Sequence, residues 1–269
     1  MTQTQVESGY APVNGLEMYY EIHGTGRPLV LLHGALSAIG TSFGQVLPEL
    51  AKTRQVIAVE LQAHGHTADV DRPLTVEQLA EDTAALLRHL GIGQADLFGY
   101  SLGAAVALQV ALQHPELVRK LVVMSLTYNR DGFHPGLLEG IDNLKPEDLD
   151  GSPFQREYAS IAPNPDDWPT LISKNKQLDH EFPGWPAEAV RSLQAPTLLV
   201  IGDSDIVRPE HAVEIFRLLG GGVAGDVAGL PRSQLAILPG TTHITVAYRG
   251  EWLASMINEF LDAPAPASG

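Results

Sequence analysis

The chain of 269 residues has no cysteine, which excludes disulfides, thiolate metal sites and a cysteine nucleophile together. It leaves the redox compartment open. Basic residues are scarce: 17 Lys and Arg against 32 Asp and Glu give a net charge of −15, so nucleic acid and anionic membrane surfaces are repelled. The partner this implies is a small molecule without strong negative charge. Nowhere do 18 apolar residues run together, which excludes a membrane-spanning helix. The opening MTQTQVESGYAPVNG lacks the basic and apolar segments of a secretory signal, so the expected location is the cytoplasm. No internal repeat is present, and the closing APAPASG reads as a frayed tail. At this length roughly 75% of the unfolded chain's surface can be buried, enough for a large core without staples.

What is present is an alternation of strand and helix signals. Leu16 to His23 is rich in β-forming residues and bounded by Asn14-Gly15 and Gly24-Thr25-Gly26, which predicts a hairpin strand. Pro28–His33, Val56–Glu60, Lys120–Met124 and Pro196–Gly202 are continuous apolar runs of the kind buried on both faces of a parallel sheet. Thr75 and Gln78 form a capping box for a helix whose Leu79, Leu86, Leu87 and Leu90 share one face and which stops at Gly91. Helices over Pro209–Leu219 and Tyr248–Leu261 flank a strand over Gln234–Leu238. Between them Gly220 to Gly229 follows a helix and does not join a strand to one, so it reads as a flexible loop and not a phosphate cradle. From Thr127 to Gln194 the alternation fails. Ser152-Pro153 and Asn164-Pro165 are helix starts there, which predicts an inserted helical subdomain.

The densest signal is Gly99-Tyr100-Ser101-Leu102-Gly103, where an apolar strand runs straight into an Ala-rich helix. Glycines two residues either side let strand and helix approach, and the serine on so tight a turn is pushed clear of the chain above a helix N-terminus. Such a hydroxyl is placed to attack. An inert Gly-rich turn is the alternative, so a base and an orienting acid must be found elsewhere. The other predicted strand ends carry His33-Gly34-Ala35-Leu36, Glu60, Ser125, Gly202-Asp203-Ser204-Asp205 and Gly240-Thr241-Thr242-His243.

Ser, then Asp, then His, each behind a different strand, resembles the α/β-hydrolase fold, in the broad group of esterases, lactonases, haloperoxidase-like perhydrolases and carbon–carbon bond hydrolases with a helical cap. The likeness covers Gly15 to about Leu126 and Ala195 to Leu261. It implies an α/β architecture: a mostly parallel, twisted, eight-stranded sheet flanked by helices, with the core domain at 1–126 and 195–269 and the cap at 127–194. It implies Ser101 as nucleophile, His243 as general base and Asp205 as the acid, placed by the G-x-x-D-x-x-x-P pattern from Gly202 to Pro209, with Asp203 as the alternative. The amides of Ala35 and Leu102 are the implied oxyanion donors, with Leu36 in reserve. His33 and His64 are expected to hold loops, and His66, His134, His180 and His211 to lie on the surface or in the cap. Glu60 to Gly65 departs from the D-x-R-G-H-G sequence of many relatives, which is expected to change the polarity of one wall.

Leu36, Tyr100, Tyr128, Phe133, Phe182 and Trp185 are the expected substrate contacts. Serine at 101, where haloalkane dehalogenases and epoxide hydrolases of this fold carry Asp, points to acyl chemistry. The expected activity is hydrolysis of a small-to-medium neutral carboxylic ester or lactone through an acyl-enzyme. No metal and no cofactor is implied, the partners are the substrate and water, and the chain is expected as monomer or homodimer. A carbon–carbon bond hydrolase, a cofactor-free perhydrolase and a non-catalytic ligand-binding protein are the alternatives.

Overall fold

A computed structural model describes residues 6–264; the last five residues of the expected frayed tail lie outside them. Eight strands form one sheet: β1 Glu7–Val13, β2 Leu16–His23, β3 Arg27–Leu32, β4 Arg54–Val59, β5 Ala95–Tyr100, β6 Val118–Met124, β7 Thr197–Ser204 and β8 Gln234–Thr242. Their spatial order is β1-β2-β4-β3-β5-β6-β7-β8. β1, β2 and β4 pair antiparallel, and every pairing from β4 through β3 to β8 is parallel. The helices are α1 Ile39–Phe43, α2 Leu47–Leu50, α3 Val76–His89, α4 Leu102–Gln113, α5 Leu137–Asn143, α6 Pro153–Ile161, α7 Trp168–Glu181, α8 Ala187–Arg191, α9 Pro209–Leu218, α10 Gly225–Ala228 and α11 Gly250–Asp262.

The continuous apolar runs are explained by burial on both faces. Leu29, Leu31, Phe98, Val122 and Val200 point to a layer closed by Phe43, Leu50, Leu253 and Ile257 from α1, α2 and α11. Their neighbours Val30, Leu32, Leu97, Val123 and Leu199 point to the opposite layer, closed by α3, α4 and α9. Alternation within each strand thus supplies two cores. Each fully buried aliphatic side chain contributes roughly 1.5–3 kcal/mol, and truncation of one to Ala costs about 2–5 kcal/mol.

Local signals set the helix ends, with differences. The Thr75 hydroxyl accepts the Gln78 N–H at 3.1 Å, but the Gln78 side chain does not reach back. It donates instead to buried Asp82 at 3.0 Å, whose carboxylate also pairs with Arg72 and so needs several donors. β8 extends to Thr242, and α11 starts at Gly250 after a tight turn over Thr245–Tyr248. The Gly220 to Gly229 loop contains the single turn α10.

Between β6 and β7 the chain forms α5 to α8 and no strand. Both ends of this insertion are stapled together, because the Trp185 N–H donates to the Tyr128 carbonyl at 2.8 Å. Gly184 permits that approach: its φ is +84°, and a Cβ there would fall on the Tyr128 carbonyl.

Candidate active site

β5 ends at Tyr100, and Ser101 follows with φ 53° and ψ −116°. Such a conformation costs on the order of 1–3 kcal/mol and persists only where its surroundings impose it. Here the glycines impose it. A Cβ on Gly99 would fall on the Gly103 carbonyl, and one on Gly103 would fall on the Leu32 carbonyl. β5, α4 and β3 therefore approach more closely than any side chain permits, and the Ser101 hydroxyl stands at the α4 N-terminus.

His243 lies one residue beyond β8. Its Nε2 is 3.0 Å from Ser101 Oγ, and its Nδ1 is 2.7 Å from Asp205 Oδ1. An ionised carboxylate only accepts, so Nδ1 carries the proton and Nε2 is free to accept the serine hydroxyl. Three further donors hold Asp205: the Ser125 hydroxyl at 2.6 Å and the N–H groups of Gly202 and Val207, each at 3.2 Å. Burial opposes charge on Asp205, but the imidazole and these donors outweigh it and keep the carboxyl below its usual range. Tyr100 completes the frame by donating its hydroxyl to the His243 carbonyl at 2.8 Å.

Asp203 has other work. It is exposed and accepts from the N–H groups of Gly240 and Thr241 at 3.0 and 3.3 Å, which ties the ends of β7 and β8. Among the described residues the amides of Ala35 and Leu102 have no internal partner, and both residues line the cavity beside Ser101. Two such N–H groups suit an oxygen that becomes negative during acyl transfer. Leu36, with φ 59°, lines the cavity too.

Beneath this loop His33 and His64 are fully buried. Nδ1 of His33 donates to the Gly34 carbonyl at 2.8 Å, and its Nε2 accepts the Leu61 N–H at 3.0 Å. His64 donates from Nδ1 to the Gln62 carbonyl at 2.8 Å. Burial, and for His33 the neighbouring His64, lowers the two imidazoles to about 3 and about 4, so both are neutral brackets.

A cavity of about 310 Å³ lies over Ser101 and His243, between the sheet rim and the insertion. Leu36, Tyr100, Phe133 and Phe182 line it; Tyr128 and Trp185 do not. Both are buried, and their polar tips find partners on α9 and α4. The Tyr128 hydroxyl donates to Glu214 at 2.5 Å while its ring stacks on His211, and Trp185 Nε1 donates to Gln109 on α4 at 2.5 Å. They anchor the insertion and do not face its cavity. His211 is likewise buried, not superficial, and its Nε2 accepts the Tyr128 N–H at 3.2 Å. His66 is partly exposed and caps Glu60. Glu60 to Gly65 contributes nothing to the cavity wall: Glu60 is buried against the Ile39 and His66 amides, and Gln62 bonds to Asp69 and Arg72.

Sequence reasoning missed the polar lining that the insertion supplies. Asn175, Lys176 and Asp179 of α7 and Arg130 before it face the cavity. Their signal is helical spacing with Ile172, Leu178 and Phe182, legible only once the inward side of α7 is known.

Among the described residues no helix is long and apolar enough to cross a membrane, and no group of three or more His, Asp or Glu could hold a metal. The chain is 28% identical to an uncharacterized hydrolase, YugF, of Bacillus subtilis (strain 168), over 93% of this chain and 96% of that one. It is 28% identical to 2-hydroxymuconate semialdehyde hydrolase of Pseudomonas sp. (strain CF600) over 88% of each, and 30% identical to serine hydrolase BPHL of Mus musculus over 78% and 74%. Among solved structures, a serine hydrolase involved in carbazole degradation superposes with a TM-score of 0.77 at 24% identity, covering 96% of this chain and 99% of that one. Carboxylesterase CesB of Bacillus subtilis superposes with a TM-score of 0.71 at 19% identity, over 96% and 92%. The description "alpha/beta hydrolase fold" matches residues 27–246, from the first parallel strand to just past His243, so the chain belongs to the alpha/beta hydrolase family.

Proposed function

We propose that the protein is a serine hydrolase that cleaves a small-to-medium neutral carboxylic ester or lactone. The observation that carries this is the continuous chain of hydrogen bonds from Ser101 through His243 to Asp205, opening onto an apolar cavity. His243 Nε2 takes the Ser101 proton as Oγ adds to the carbonyl carbon, and the oxyanion settles on the Ala35 and Leu102 amides. Asp205 fixes the tautomer and stabilises the imidazolium. Collapse of the tetrahedral adduct expels the alcohol, which receives the proton from His243. Water then adds to the acyl-enzyme by the same route and releases the acid.

Likeness to a serine hydrolase and a carboxylesterase supports this reading. Likeness over 88% of its length to 2-hydroxymuconate semialdehyde hydrolase favours a second, carbon–carbon bond hydrolysis at the same serine. A panel of p-nitrophenyl esters, lactones and vinylogous diketones separates the two. Short p-nitrophenyl esters are expected to be cleaved, and Ser101→Ala to lower kcat/KM by about 10⁵-fold. Activity retained in that variant, or failure of a fluorophosphonate to label Ser101, overturns the proposal.

A further inference from the structure

α7 and the residue that caps it turn a row toward the cavity: Ile172, Asn175, Leu178 and Asp179, then Phe182. One of these is a carboxylate set among apolar side chains, and that is costly unless something donates to it. The polar neighbours do not. Lys176 Nζ donates to the Leu144 carbonyl at 3.0 Å, and Asn175 Nδ2 donates to the Leu171 carbonyl at 2.9 Å. Arg130 Nη2 donates at 2.7 Å to the backbone carbonyl of Asp179, not to its side chain. Among the described residues the Asp179 carboxylate has neither a hydrogen-bond partner nor an ion pair, yet it is half-buried and lines the cavity.

We propose that the Asp179 carboxylate is a second polar subsite, which receives a hydroxyl or amine donor at the end of the substrate remote from the carbonyl that Ser101 attacks. This rests on the ester-hydrolase reading and narrows it: the substrate is apolar along its middle and carries a hydrogen-bond donor at its far end. Burial, joined by repulsion from Asp142 and against the opposing pull of Arg130, raises the Asp179 carboxyl to about 6, in keeping with a group that has gained no protein donor. A ligand donor supplies the missing partner.

The test is a ratio. Matched p-nitrophenyl esters and matched alkyl esters, each ending in hydroxyl, methoxy or methyl, are compared by kcat/KM within one enzyme sample, so the fraction of folded enzyme cancels. The wild type is expected to prefer the hydroxyl-ended member over both controls by about tenfold or more in one series. Asp179→Leu should bring that ratio to about one, and Asp179→Asn, which still accepts, should keep part of it. Turnover without discrimination in the wild type, or discrimination unchanged in Asp179→Leu, overturns this inference and leaves the ester reading standing. No turnover with any ester removes both.

Discussion

Asp203 and Asp205 stand two residues apart at the end of β7, and their surroundings separate them completely. Asp205 is buried and meets the imidazole, one hydroxyl and two amides, while Asp203 sits in solvent and closes a turn. Asp205→Asn replaces an acceptor with a group that donates from one of its two positions, which favours the wrong imidazole tautomer. Ester hydrolysis by this variant should fall by about 10⁴-fold in kcat. Asp203→Asn keeps an acceptor for Gly240 and should change kcat less than about threefold; a large loss in Asp203→Asn with little in Asp205→Asn would reverse the assignment. The position of Asp205 beside His243 was legible through the resemblance, because the G-x-x-D spacing it supplied is local and survives any arrangement of the rest. The roles of Tyr128 and Trp185 were not, since an aromatic in an insertion looks the same whether it faces a cavity or anchors the insertion to the sheet's helices. Only Glu214 and Gln109, distant in sequence, decide between these roles.

The elbow works as an element because three backbones touch at two glycines. A methyl group on Gly103 would overlap the Leu32 carbonyl, so Gly103→Ala must separate α4 from β3. Urea unfolding should show a loss of about 3 kcal/mol or more, with ester turnover falling alongside as Ser101 shifts. Gly140, inside α5, has nothing within 4 Å of such a methyl group. There Gly140→Ala should stabilise by about 0.5–1 kcal/mol through backbone entropy alone. A small effect at Gly103 would mean that the close approach of helix and sheet is not what fixes the serine. Parallel strands and this elbow are readable from sequence for one reason: runs such as PLVLLH and the G-x-S-x-G spacing encode contacts made within a few residues or on both faces. The insertion is different. α6 and α7 can be placed by their caps, but which side of α7 faces inward depends on the cluster of Tyr158, Trp168, Leu171 and Ile172 that seats it over Ala63.

At the scale of the whole molecule, the buried His33 and His64 make stability depend on pH. In the unfolded chain both titrate near 6.5, whereas in the fold burial lowers them to about 3 and about 4. Between those values the unfolded state binds more protons, so stability falls as pH drops below about 6.5 and levels off below the folded values. By pH 5 the loss is about 2 kcal/mol per imidazole. Glu60 and Asp96, both raised mainly by burial, act with the opposite sign, because their folded forms hold protons that the unfolded chain releases. A bare acid midpoint therefore mixes both effects, and a single substitution separates them. His64→Gln removes one titrating ring while leaving an amide to meet the Gln62 carbonyl and Asn175. At pH 7 the variant should be the less stable of the two. Urea melts at pH 7, 6 and 5 should then show the gap to wild type narrowing by about 2 kcal/mol. Parallel curves would mean that His64 is protonated inside the fold, and a charged ring beside His33 could not serve as a neutral bracket beneath the Gly34-Ala35 loop.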